Sequence, residues 1–400
     1  MTPSKHKRWR VVLLGEGYSP NLGDQMIREA LAYMFSRALP EVDLVPLDWS
    51  GRQASSTGNS IVRTREAGSM AMIQRNTRKL INPLRPLLTR RGLLPLTWPR
   101  IAREIRHADF VLIGGGELIR TSPALFPDRM FSVCREARNS GKPFGFIACG
   151  VNPKVNARAQ AIAAPVLRQA RFITVRDRPS RNHLRQWVPD MNVDDVVVAP
   201  DPAVLIDRVH PVSQPRHSNC IGVNVVACHG LQRHDWFTLT RDQFLDWYGS
   251  VVASVHRTTG LRVGLFTNGD PSDQAFAESL LESIDTPGVY LAPRPHTPDT
   301  LSALAAGFTA VVASRFHCML AAYAFGVPCV GLCWSPKISA FLEDSGHAER
   351  SFRIGSAEPH DIGTAIQSAL SKPHETCTTY RDSVFKHAEI LRKHLEEPLP

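Results

Sequence analysis

The sequence has no C-x-x-C pair, no apolar run near the roughly 20 residues that span a bilayer, and no G-x-G-x-x-G fingerprint. The first absence argues against a zinc ribbon or dithiol redox centre, the second against a membrane-spanning helix, the third against a standard dinucleotide site. Eight cysteines (134, 149, 220, 228, 318, 329, 333 and 377) are scattered through apolar or helical surroundings. Cys329 and Cys333 are four apart, but in a strand-like run, where that spacing does not favour chelation. The thiols are therefore expected to be small buried hydrophobes in a reducing cytoplasm. Met1 to Arg10 is basic, yet it leads straight into the strand-like Val11–Leu14, without the longer apolar region or cleavage site of a signal peptide. No short-period repeat is evident.

What is present describes a globular chain. Hydrophobic residues make up 43% of the 400 residues and charged ones only 21%, enough for two domains with large cores. The formal net charge of +10 is unevenly placed. Between Arg52 and Arg106 there are twelve Lys/Arg against only Glu66 and Glu104, a difference that equals the whole net charge. A field concentrated in this way suggests an anionic partner beside one segment and not a nucleic-acid-coating protein. Within it, Leu80–Trp98 mixes leucines with arginines, and its three prolines rule out one long helix. Residues 80–106 either lie on an anionic membrane surface, at the inner face, or pack on the first domain as part of an insertion at about 51–99.

Elsewhere short β-branched runs alternate with amphipathic stretches, the pattern of a parallel sheet covered by helices. Strands are expected at Arg10–Leu14, Val42–Leu47, Phe110–Ile113, Phe144–Cys149, Phe172–Val175 and Val196–Val198, then at Ile221–Val226, Arg262–Phe266, Val289–Leu291, Ala310–Ala313 and Cys329–Cys333. Helices are expected between them, including Gln25–Leu39, Arg241–Thr258, Ser272–Ser283 and Cys318–Phe325. Pro202 to Ser218, with three prolines among polar residues, reads as a linker. The expected fold is α/β, with two Rossmann-like domains at 1–205 and 216–370 facing across a cleft and a helical tail at 371–400.

Five strand-end stretches carry chemistry, because ligands in such sheets bind at the carboxyl ends of the strands. Gly15 to Asp24 follows the first strand and opens a helix; its glycines admit close backbone approach, and Asp24 is equally well read as a helix cap. Gly114, Gly115 and Gly116 then Glu117 end the third, as a ligand approach or a tight structural turn. Arg176-Asp177 ends another; the arginine suits forked recognition of carboxylate or phosphate, or an internal salt bridge. The most specific is Ser314-Arg315-Phe316-His317, where an arginine, a histidine and a helix start converge at a strand end. Trp334-Ser335-Pro336-Lys337 ends the neighbouring strand, so Lys337 is expected close to His317.

In this order the stretches resemble the polysaccharide pyruvyl transferase family. Its Asn-x-Gly-Asp corresponds to Asn21-Leu22-Gly23-Asp24, its Gly-rich strand end to Gly114–Gly116, its Arg-Asp to Arg176-Asp177 and its Asp-Pro-Ala to Asp201-Pro202-Ala203. The hallmark Ser-Arg-x-His, followed twenty residues on by an aromatic-x-Pro-Lys lysine, corresponds to Ser314–His317 and Lys337. Phe316 stands where leucine is usual and Trp334 where tyrosine is common. The resemblance covers about residues 10–350 apart from the basic insertion.

It implies a glycosyltransferase-B-like fold and an enzyme that moves the pyruvyl group of phosphoenolpyruvate onto a sugar, usually as a cyclic ketal, with no cofactor. Phosphate and carboxylate on the donor call for cations and N–H groups: Arg315, Arg176, Lys337 and the helix at His317. The expected site has His317, Asp24 and Lys337 as catalytic residues and Arg315, Arg176, Ser314, Asn21, Gly23, Gly115, Gly116 and Glu117 as binding residues, with no metal. The acceptor is a sugar or a lipid-linked oligosaccharide. The rival readings are a nucleotide-sugar glycosyltransferase, with Asn268-Gly269-Asp270 and Arg294-Pro295-His296 holding base and ribose, and a non-catalytic sugar-binding protein of the same fold.

Overall fold

The computed structural model describes residues 8–17, 21–49, 98–121, 126–212, 219–232, 237–371 and 378–397. Most of the basic insertion, and Cys377, thus lie outside the described residues, as does the 80–97 part of the expected membrane contact.

Two six-stranded parallel sheets form the frame. The first comprises β1 (Trp9–Gly15), β2 (Val42–Asp48), β3 (Phe110–Ile119), β4 (Phe144–Val151), β5 (Ile173–Val175) and β6 (Val197–Val198), in the order β2-β1-β3-β4-β5-β6. The second comprises β7 (Cys220–Asn224), β8 (Arg262–Phe266), β9 (Val289–Leu291), β10 (Ala310–Ala313), β11 (Cys329–Cys333) and β12 (Ser351–Arg353), in the order β12-β11-β10-β7-β8-β9. Helices cover both faces, which is why strands such as β4 are buried at every residue and read as unbroken apolar runs. In each sheet the order reverses next to the first strand, between β1 and β3 and between β7 and β10. The crevices opened there are where this architecture takes ligands. β12 escaped the sequence reading because its three residues, Ser-Phe-Arg, carry no apolar run.

One apolar core crosses from sheet to sheet. It joins Leu22, Met26 and Ile27 of helix Leu22–Ala38 to Ala203–Ile206 and to the buried run Cys318–Ala324 of helix Phe316–Ala324. The expected linker is corrected over its first part: Pro202–Ile206 is buried, a helical wedge capped by Asp201, while 213–218 of it lies outside the described residues. Helix Lys386–Glu396 follows the second sheet in sequence yet packs on the first, with Leu391 in the shared core and His394 stacked on Phe172. Helix Trp98–Arg106, the described end of the basic stretch, turns Ile101 and Ile105 into the first sheet's core. That apolar face is therefore unavailable to a bilayer. No helix among the described residues is long and apolar enough to cross a membrane.

His387, on helix Lys386–Glu396, has no exposed surface. Its Nε2 lies 3.0 Å from the Pro200 carbonyl oxygen, which only accepts, so Nε2 carries the proton. The Thr174 hydroxyl, which accepts from Ala148 N–H, donates to Nδ1 at 2.7 Å. Burial, against the pull of the Pro200 carbonyl and Asp201, lowers the ring's pKa from 6.5 to about 4. A depressed histidine pKa contributes stability above the unfolded value that is lost as pH falls towards the folded one. For this shift the contribution is about 3 kcal/mol. Thermal melts should therefore show stability falling between pH 6.5 and 4, and His387→Gln should flatten that slope; an unchanged slope would refute the assignment.

Candidate active site

The two switch-point crevices face each other, and the expected residues meet along the seam. Helix Leu22–Ala38 starts at Asn21, whose Oδ1 accepts from Gly23 N–H at 3.1 Å and from Asn268 Nδ2 of the second domain at 2.6 Å. Gly23 lies directly on the His317 imidazole. A Cβ there would be 2.9 Å from His317 Cβ and closer still to Nδ1 and Cγ. Only glycine allows this approach. His317 is itself nine-tenths buried, and its Nε2 has no hydrogen-bond partner; that nitrogen faces Asp201 Oδ2 at 3.6 Å.

Arg176, expected to bind ligand, has its guanidinium buried and donating to Asp201 Oδ2 at 2.9 Å. Its charge also lies over the Phe316 ring, 5.6 Å from the centroid. Asp177 beside it caps helix Arg178–Trp187 through Ser180 N–H. Ser314 is turned inward in the same way. Its hydroxyl is buried and donates to the Asn224 carbonyl at 2.6 Å, while Asn224 Oδ1 accepts Arg315 N–H at 2.8 Å. Arg315 grips the buried Asp273 with a fork of two 2.8 Å bonds but stays partly exposed. Asn224 and Asp273 had no motif around them and were missed; only the pairing of β7 with β10 brings Asn224 under the turn.

Lys337 does not end at His317. Its ammonium spans the cleft to Glu117, which also accepts from Asn152 Nδ2 at 2.8 Å. Burial alone would raise the Glu117 carboxyl, but the Lys337 charge and these hydrogen bonds hold it down to about 2. The glycine triplet differs from the expected turn: β3 continues through it to Ile119, with Gly115 at φ 76° and Gly116 at φ 97°. These left-handed values shift the pairing register with β4 and swing Glu117 to the cleft. Gly116 also passes Asp24, where a Cβ would sit 3.4 Å from Oδ1. Asp24 lines a small cavity with Glu16, Arg28, Gly114 and Gly115. Glu16, paired with Arg120, was missed although it lies in the same loop; burial and the neighbouring Asp24 and Asp48 raise its pKa against that pairing.

Helix starts differ in a way that matters. Asn21, Asn156, Asp177, Thr240, Asp270 and Thr297 each cap a helix with a side-chain oxygen. Helices Phe316–Ala324 and Pro336–Asp344 have no such cap. They follow the neighbouring strands β10 and β11 and carry Arg315, His317 and Lys337 at their first turns. Uncapped N–H groups and cations side by side suit an anion. Among the described residues, no group of three or more His, Cys, Asp or Glu is disposed to hold a metal ion. The seven described cysteines are free, and burial pushes Cys149 and Cys329 up to about 12.

Two facing Rossmann-like sheets with a polar seam between their switch points define a protein of glycosyltransferase-B type. Over 96% of this chain and 99% of the other, the fold matches UDP-GlcNAc 2-epimerase from Methanocaldococcus jannaschii (TM-score 0.59, 9% identity). It also matches S. aureus MnaA in its UDP co-structure (TM-score 0.55, 12% identity, 97% and 96% covered). A spinosyn rhamnosyltransferase is similar again (TM-score 0.51, 14% identity, 97% and 100% covered). At such identities the likeness shows the fold alone. No curated protein matches the sequence significantly. The chain belongs to the polysaccharide pyruvyl transferase family, whose model matches residues 21–336.

Proposed function

We propose that this protein transfers the pyruvyl group of phosphoenolpyruvate to a sugar of a polysaccharide or glycoconjugate as a cyclic ketal, releasing phosphate. The observation that carries the donor is the pair of uncapped helix starts with Arg315 and Lys337 beside the buried His317. A small trianionic donor matches that charge, with phosphate and carboxylate shared between the two helix starts. Both cations already hold carboxylates, Asp273 and Glu117, and both are partly exposed, so the donor competes for them from the cleft. Arg176 acts from behind, on Asp201.

The chemistry asked of the site is small. His317 as imidazolium gives a proton to the CH2 carbon of the enol, and one acceptor hydroxyl bonds to C2 while losing its proton. A second hydroxyl then bonds to C2 as the C–O bond to phosphate breaks; its proton leaves with the phosphate, and the proton taken from the first hydroxyl recharges His317 by way of solvent. Asp24, with Glu16 beside it in the first domain's cavity, lies on the acceptor side and takes or orients the hydroxyl proton. A lipid-linked oligosaccharide is an acceptor of the right kind.

A nucleotide-sugar reading draws on the fold's neighbours, but Asn268, Gly269, Asp270 and Arg294, weighed for base and ribose, are otherwise engaged. Asn268 bonds Asn21, Gly269 O accepts from Arg294 Nε at 2.9 Å, and Asp270 caps a helix. Thermal shift separates the readings. Phosphoenolpyruvate at a hundred times its Kd should stabilise the protein by about 2.7 kcal/mol and raise Tm, with no shift from UDP-sugars. A shift with UDP-sugars alone would sink the pyruvyl proposal.

A further inference from the structure

We infer that Asp201 is a positioning residue for His317, accepting Nε2–H and leaving Nδ1 as the nitrogen that meets the substrate. This rests on the proposed role of His317. Asp201 follows β6, on the first sheet, whereas His317 follows β10 on the second. Among the described residues, Asp201 is the one carboxylate that comes within 4 Å of a ring nitrogen, its Oδ2 lying 3.6 Å from Nε2. That nitrogen is buried without a hydrogen-bond partner, which costs free energy unless a proton on it finds an acceptor. A closure of a few tenths of an ångström converts the contact into a charge-assisted hydrogen bond.

Asp201 is built to be that acceptor. Its Oδ1 takes Ala203 N–H at 3.0 Å and its Oδ2 takes Arg176 Nη1–H at 2.9 Å. Burial would raise its carboxyl, but His317, the Arg176 charge and the Ala203 N–H hold it well below the usual carboxylate range, so it stays ionised. The Phe316 ring packs edge-on to the imidazole at 5.5 Å and Arg176 lies over Phe316, which fixes the ring's tilt. Nδ1 is the side turned to Gly23 and the Asn21 helix start. The charged and titratable groups that act on the pair, or on Arg176 behind it, are Asp177 after β5, Glu117 on β3, and Tyr380 and His387 from the C-terminal segment. Since the acceptor and the imidazole belong to different sheets, His317 is oriented only when the two domains are together, a reason for chemistry to follow closure.

Nitrogen-15 spectra of histidine-labelled protein test this, with the His317 resonance assigned by its loss in His317→Gln. In the wild type the neutral ring should carry its proton on Nε2; a proton on Nδ1 would overturn the inference with no variant needed. Asp201→Asn removes the charge that favours Nε2–H and should raise the Nδ1–H fraction. It should also lower kcat for phosphate release on the order of 10²-fold, the loss that about 1 Å of misplacement brings. KM for phosphoenolpyruvate should stay within about twofold, because Asp201 does not touch the donor, and Asp201→Glu should restore part of kcat. An unchanged tautomer in Asp201→Asn, or a loss confined to KM, would refute the role. A wild-type protein that shows Nε2–H but releases no phosphate would instead refute the pyruvyl donor and leave Asp201 as the partner of His317.

Discussion

His317→Ala should lower the rate of phosphate release from phosphoenolpyruvate and acceptor by about 10²–10⁴-fold, the span of general acid–base contributions. The donor's other anchors keep their own supports, Arg315 on its fork to Asp273 and Lys337 on the neighbouring helix start, so phosphoenolpyruvate should still raise Tm in the variant. The imidazole is buried, and its removal leaves a hole between Gly23 and Asp201; a modest fall in Tm is therefore expected alongside the kinetic loss. Single-turnover phosphate release, with thermal melts in parallel, distinguishes the outcomes. Turnover within tenfold of wild type would remove the acid/base role, whatever the change in stability.

Gly23→Ala should be nearly as damaging, for a different reason. Gly23 lies in the first turn of a 17-residue helix, where alanine is favoured over glycine by up to about 1 kcal/mol. Local propensity thus predicts a neutral or stabilising change. Across the seam, the added methyl would overlap the His317 ring, and the obstruction is a buried imidazole wedged against Asp201 and Phe316, not the loose end of a flexible chain. Either the ring leaves its place or the domains separate. A loss of about 10²-fold in kcat/KM is expected, with helix content unchanged by circular dichroism. Wild-type activity in Gly23→Ala would show that the closed seam seen here is not the catalytic arrangement.

These two positions show how unevenly the site could be read. Gly23 and His317 stand almost 300 residues apart in the chain, and each belongs to a motif visible in the sequence. The motifs located the strand ends correctly, because a parallel sheet concentrates apolar residues in short runs and polar ones just past them. What they did not reveal was direction. Ser314 and Arg176 have the chemistry of ligand contacts, yet Ser314 supports Asn224 and Arg176 supports Asp201. A polar residue after a strand can face the crevice or the protein, and its partner, from another strand, decides which. Neighbouring β10 and β11 predict Lys337 beside His317; the long side chain follows the part-buried charge of Glu117 instead.

From the order of amino acids alone came the alternating α/β pattern, eleven of the twelve strands among the described residues, the family likeness and the cluster at Ser314–His317, since all of these are carried by residues close together in the chain. The long-range contacts required the folded chain: Asn21 with Asn268, Glu117 with Lys337, Asp201 with His317. Each joins the two sheets, and none has a period or spacing that could announce it. Free energy assigns such partners through burial. A charge withdrawn from water takes whichever opposite charge or hydrogen-bonding group the packing of the two domains delivers.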